Sequence, residues 1–264
     1  MAYQDKKVMI LFSLYLGLAS ISVYRFIFNF TEVVYVENLD IYGVAGTVII
    51  FPIVIFSMFV ASYGLAKNKW DPKYIGFGAS FFLMLFFIVD FSIDAGAFGW
   101  DIRFLVGDIY LIFFSIITLF ATILFWKNIN EKEIILPFFQ NKATQFLFPC
   151  YIAIASISSS SIFSIISQIT RGTNIEIYTF IALVLYIFVP IILIFSSKNL
   201  LENRTNTKFF ALIGVLLFQV ALFLDIYTRI TLNLNLVYFL NRIVMNVFVI
   251  IVLILTIYYW KKMS

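Results

Sequence analysis

Residues 73–126 read KYIGFGASFFLMLFFIVDFSIDAGAFGWDIRFLVGDIYLIFFSIITLFATILFW, and residues 208–260 read KFFALIGVLLFQVALFLDIYTRITLNLNLVYFLNRIVMNVFVIIVLILTIYYW. The two stretches share one plan. Lys73 lies 17 positions before Asp90 and Lys208 lies 17 before Asp225; Asp108 lies 18 before Trp126 and Arg242 lies 18 before Trp260. A shift of 134 or 135 residues superimposes them. In that register Asp90 matches Asp225, Asp94 meets Arg229 and Asp108 meets Arg242. Two acids of the first half stand against two arginines of the second, the pattern of a duplicated chain whose halves have become electrostatic partners rather than copies.

Working outward, the chain is 63% hydrophobic with a mean hydropathy of +1.03, more apolar surface than 264 residues could hide in a water-soluble core. It belongs in a bilayer. Runs of about 20 apolar residues give eight expected spans: 8–28, 42–66, 74–97, 103–126, 145–169, 175–197, 209–230 and 235–260. The expected fold is therefore all-α, a single membrane domain over 1–264 with eight transmembrane helices. Repeat 1 covers 1–126, a linker 127–144 and repeat 2 covers 145–264. Four spans per repeat is an even number, so the copies run parallel about a pseudo-two-fold axis along the membrane normal. The first apolar run is too long for a signal peptide and lacks a small-residue cleavage region, so it is read as a retained helix.

Lysine sets the orientation. All 12 lysines fall in the amino terminus, the even-numbered loops or the carboxyl terminus, which places both termini in the cytoplasm of a multi-pass plasma-membrane protein. With Arg204, that side carries 13 basic residues against five acids, whereas the opposite side and outer membrane half carry five arginines against nine acids. The sequence pI of about 9.0 thus reports topology and not a nucleic-acid patch.

Several chemistries are excluded by composition. There is no histidine, which removes imidazole metal sites, histidine-ligated haem and Ser/His or Cys/His catalysis. Cys150 is the single cysteine, so no internal disulfide is available. No Gly-x-x-x-x-Gly-Lys phosphate loop occurs, and the loops are too short for a soluble catalytic domain. No enzyme, cofactor or metal site is expected, and energy for any transport would come from a gradient or a partner. Asn29-Phe30-Thr31 forms a glycosylation sequon close to the outer end of the first span.

The candidate site is the set of intramembrane charges. Each costs about 2.5 to 3.5 kcal/mol to insert and needs a partner or water. Asp90 and Asp94 share a helical face, as do Asp225 and Arg229. At 1.5 Å per residue, Asp90 and Asp225 lie about 24 Å from the cytoplasmic boundary, and Asp108 and Arg242 about 7 to 10 Å in from the other side. All six converge in the outer third of the bilayer. Pairing Asp94 with Arg229 and Asp108 with Arg242 leaves the matched acids Asp90 and Asp225 to share a proton or a cation. Such pairs also lock repeats together without any further role. In the fifth span, Ser156, Ser160, Ser164 and Ser167 fall at helical spacing and form a stripe that serves either as a packing seam or as a water-lined surface. Pro52 and Pro190 sit inside the second and sixth spans, where each removes a backbone bond.

Asp90-x-x-x-Asp94 resembles the Mg-diphosphate motif of intramembrane prenyltransferases, but the second motif of that family would put an acid where this chain has Arg229. The size, the eight spans, the absence of histidine and the Phe- and Ile-rich spans with cytoplasmic lysines resemble the CedA family of the crenarchaeal DNA-import system. That resemblance implies an archaeal plasma-membrane channel for DNA working with small membrane subunits and a cytoplasmic ATPase, with self-association left open. A net negative outer half opposes it, since it repels phosphate unless its carboxylates are protonated. Two other readings stand beside it: a secondary transporter coupled to protons or cations through Asp90 and Asp225, and a non-catalytic subunit of a respiratory or other membrane complex.

Overall fold

The computed structural model describes residues 3–35, 46–67, 72–98, 102–127, 142–170, 177–202, 204, 206–231 and 236–263, a few of them by backbone alone. Among the described residues there is no strand. Eight long helices follow in order: α1 (Tyr3–Tyr35), α2 (Phe51–Lys67), α3 (Pro72–Phe98), α4 (Ile102–Leu124), α5 (Lys142–Thr170), α6 (Ile177–Leu201), α7 (Thr207–Thr231) and α8 (Leu236–Tyr258). The all-helical reading follows from the composition, because a chain this apolar must satisfy its backbone polar groups within each segment. Among the described residues six helices are long and apolar enough to cross a membrane: Lys7–Ile27, Val48–Ala66, Pro72–Ile93, Lys142–Ile166, Ile177–Leu201 and Thr207–Thr228. The described apolar parts of α4 and α8 are shorter, Asp108–Leu124 and Arg242–Tyr258. The chain is thus a helical protein of membrane type.

The helices are arranged around α1 and α5. α1 packs on α2, α4, α5 and α8, and α5 packs on α1, α4, α6 and α8. These two are also the most enclosed of the six candidate spans and the least apolar by composition. The physical reason is solvent: lipid rewards apolar side chains on the outer helices, whereas the central ones meet protein, where small and hydroxylated residues allow close approach. Gly17 of α1 shows this, since a Cβ there would lie 2.7 Å from Ser156 Oγ of α5. Phe56, Phe113, Ile191 and Tyr258 belong to the broad exposed apolar surface that faces outward.

Contacts recur near the spacing of the sequence register, Tyr15 and Tyr151 being 136 residues apart and Thr122 and Thr256 134. The Tyr15 hydroxyl of α1 meets Thr122 Oγ1 of α4 at 2.9 Å, and the Tyr151 hydroxyl of α5 meets Thr256 Oγ1 of α8 at 3.0 Å. The Lys73 ammonium lies 5.3 Å from the Trp126 ring, with Tyr74 edge-on to the same indole at 5.1 Å. In parallel, the Lys208 ammonium lies 5.8 Å from the Trp260 ring and Phe209 stands edge-on to it at 5.4 Å. Lys7 at the start of α1 reaches Phe125 just past the end of α4. Lys7, Lys73 and Lys208 therefore gather at one end of the bundle, where cation–π contacts hold them at helix boundaries.

Proline acts differently at its two expected positions. Pro52 is the second residue of α2 and follows a π-helical turn, Gly46–Ile50, so the missing donor falls where the helix widens rather than within it. Pro190 lies inside α6 and leaves the Tyr186 carbonyl without its helical donor. Ser158 of α5 fills that role, its Oγ donating to Tyr186 O at 3.0 Å. Pro149 is a further internal proline, in α5.

Candidate functional site

At the end opposite the lysines, α7 and α8 carry Asp225 and Arg242 side by side. Arg242 Nε lies 2.7 Å from Asp225 Oδ2, and the two side chains are only 3% and 8% exposed. The guanidinium also sits 5.7 Å from the Tyr24 ring of α1, so a cation–π contact closes the third side. One turn further along α8, Asn246 Nδ2 donates to Arg242 O at 2.9 Å, and Asn246 Oδ1 accepts from Gln219 Nε2 of α7. Arg242 Nη1 and Gln219 Oε1 have no hydrogen-bond partner among the described residues. The Gln219–Asn246 part has no polar counterpart on α3 and α4: in the sequence register Met84 stands for Gln219 and Ile112 for Asn246.

The second ion pair lies between α1 and α4, with Arg25 Nη2 at 3.7 Å from Asp108 Oδ1. Arg25 is partly exposed and Asp108 is buried, so this pair reaches toward the surface where the first does not. Tyr24 and Arg25 are neighbours on α1, one against Arg242 and the next against Asp108. The Asp108–Arg242 pair expected from the register is accordingly corrected: Arg242 pairs with Asp225 of the neighbouring helix, and Asp108 with Arg25. α1 is the reason. Register equivalence relates α4 to α8, but α1 packs on both and supplies side chains to each.

The expectation of facing carboxylates at Asp90 and Asp225 changes with it. Asp225 is engaged by Arg242 rather than left over, and Asp90 lies half-buried on α3, a helix packed on α2 and α4. Asp94 and Arg229 fall within α3 and α7, but their side chains lie outside the described residues, and so does any pairing between them. Among the described residues no three His, Cys, Asp or Glu side chains gather as metal ligands.

The serine stripe of α5 divides. Ser156 abuts Gly17 and lines a cavity, Ser160 is buried, Ser164 is half-buried, and the side chain of Ser167 lies outside the described residues. Ser159, off the expected stripe, also lines the cavity while its Oγ donates to Ala155 O at 2.9 Å. The cavity has a volume of about 600 Å³ and is walled by α1, α4, α5 and α6. Its deeper wall includes Tyr110 and Phe114, and Lys198 and Glu202 lie on its rim at the end of α6.

Sequence reasoning did not single out Tyr24, Gln219, Asn246 or Tyr110. Gln219 and Asn246 did carry a signal, as uncharged polar residues inside apolar runs whose register partners are apolar. Comparison with protein-family models, with curated proteins and with solved structures finds no match for this chain.

Proposed function

We propose that the protein is a multi-pass membrane transport protein, built from two parallel four-helix repeats of eight spans. Its substrate enters the cavity at the lysine-bearing, cytoplasmic end, and the buried ion pairs close the opposite end. The observation that carries this reading is the polarity of the bundle. A cavity of about 600 Å³ is lined at one end by Lys198 and Glu202, and Arg25–Asp108 and Arg242–Asp225 lie toward the other, both tied to neighbouring residues of α1. Shift or rotation of α1 alters the cavity wall and both charge contacts together, a natural coupling element for alternating access. The recurrence of Tyr–Thr and Lys–Trp contacts at repeat spacing supports the duplication. Lysine clustering at one end supports cytoplasmic termini.

The volume fits a small ligand, for which pockets of about 300–1,000 Å³ are usual. DNA import, which the family resemblance implies, is a second reading that needs a conduit shared by several chains with small membrane subunits and a cytoplasmic ATPase. The basic end favours such a motor partner. The test uses Cys150→Ser protein carrying Ser159→Cys, reconstituted in liposomes. Transport predicts labelling of position 159 by a water-soluble maleimide from the lysine side and a changed labelling rate when Arg25→Gln frees α1. Position 159 inert from both sides sinks the reading. For the second reading, loss of chromosomal marker acquisition in a deletion strain with normal growth is expected, and normal transfer removes it.

A further inference from the structure

We infer that the cavity binds an anionic membrane lipid that enters sideways from the leaflet at the lysine end, with a hydrocarbon chain between α1 and α6 and its head group at Lys198. This rests on the reading of the cavity as a substrate site and names the substrate class. The first observation is where the cavity opens. Ile10 of α1 and Ile194 of α6 both line it, and they are 50% and 56% exposed, so they are not enclosed by the bundle. The cavity wall therefore continues into the lipid-facing surface, which gives a chain already in the bilayer a route that a solute in water lacks. Leu14, Phe114 and Phe148 carry the apolar lining inward.

The second observation is charge. Lys198 lies in the last turn of α6, exposed, and has no ion-pair partner among the described residues. Glu202, one turn on, is engaged by Arg204 at 2.7 Å, so the acid at the rim does not cancel Lys198. A cation at the end of a span sits at head-group level, where it attracts anionic lipid. The third observation is Ser197. It is buried, lines the cavity beside Lys198, and its Oγ has no hydrogen-bond partner among the described residues. A hydroxyl so placed is a donor for the ester or phosphate oxygens of a lipid whose chain lies below. A purely apolar guest would leave Lys198 and Ser197 unused, and a small hydrophilic anion would desolvate against an apolar wall.

Native mass spectrometry of the purified protein, titrated with phosphatidylglycerol or phosphatidylcholine, tests this. We expect one tightly bound phosphatidylglycerol, about fivefold weaker binding of it in Lys198→Gln with phosphatidylcholine unaffected, and loss of both lipids from the site in Leu14→Trp, which fills the cavity. Lys198 is exposed, so its variant folds normally. Equal loss of both lipids in Lys198→Gln, or no loss, overturns the anionic head group, and undiminished stoichiometric binding in Leu14→Trp overturns the site. Lipid bound but never moved between leaflets of proteoliposomes removes the transport reading alone. Transport of another solute without lipid binding removes this inference alone.

Discussion

Replacing Arg242 by Met removes the guanidinium while keeping the length of the side chain, and it strands the Asp225 carboxylate inside the bundle. Asp225 as a residue is 6% exposed, and its ion-pair partner stood 2.7 Å away. Breaking a buried pair from one side costs about 3–5 kcal/mol, because an uncompensated charge is left behind. Loss of the Tyr24 contact adds to it, by up to about 2 kcal/mol where desolvated. Removing both charges, Arg242→Met with Asp225→Leu, should recover most of the loss, since well-packed apolar replacements of buried pairs are often neutral. The assay is reversible unfolding in mixed micelles across two double-mutant cycles. The 225–242 cycle should show a coupling of about 2–3 kcal/mol, and the 108–242 cycle, with Asp108→Asn, should be additive to within about 0.5 kcal/mol. Coupling under about 0.5 kcal/mol between 225 and 242, or a larger value between 108 and 242, refutes the assignment of partners and restores direct pairing between the halves.

Gly76→Ala should destabilise by about 1–3 kcal/mol, because its Cβ would lie 2.1 Å from Tyr15 Cζ, whereas Gly78→Ala, with nothing within 4 Å, should be neutral or stabilising; equal unfolding midpoints would contradict this. Ser158→Ala should cost about 1–3 kcal/mol by stranding the Tyr186 carbonyl, and adding Pro190→Ala, which returns the helical donor, should recover part of it; strictly additive losses in the same unfolding assay would show that Ser158 does not serve that carbonyl. Tyr15→Phe and Tyr151→Phe should each lose about 1 kcal/mol, and similar losses are expected because each hydroxyl meets a threonine in the matching helix. A cysteine at position 261 in a Cys150→Ser chain should resist membrane-impermeant maleimide in intact cells and react after lysis; ready labelling from outside would overturn the cytoplasmic terminus.

The polar network on α7 and α8 has no polar counterpart at the matching register positions of Gln219 and Asn246 on α3 and α4. Asp225, Arg242, Asn246 and Gln219 form a connected set across α7 and α8, where the register offers Asp90, Asp108, Ile112 and Met84 on α3 and α4. A buried network of this kind is costly unless most of its groups are satisfied. Its placement in one half means that α7 and α8 are clamped by hydrogen bonds and an ion pair. In α4, by contrast, Asp108 faces a partly exposed arginine on α1. The Arg25–Asp108 contact is accordingly the one that can be exchanged for water at lower cost.

The sequence by itself determined what depends on local pattern and solvent. Apolar run length marks the helices, composition marks the bilayer, lysine spacing marks one end, and the 134–135 shift pairs positions that do make matching contacts, such as Lys73 and Lys208 on Trp126 and Trp260. These are legible because span length and helical period are properties of single segments. Partner choice was not legible, because it depends on the order and rotation of helices about one another. The register made Asp108 and Arg242 equivalent, but only the tertiary structure put Tyr24 and Arg25 of α1 against them and gave Asp225 to Arg242. The stripe of α5 serines was visible as a face, yet packing decided that Ser156 meets Gly17, that Ser158 serves the carbonyl freed by Pro190, and that Ser159 borders a cavity. A helical face is fixed by its own sequence; what it meets is fixed by seven other helices, and contact energies of a few kcal/mol depend on that meeting.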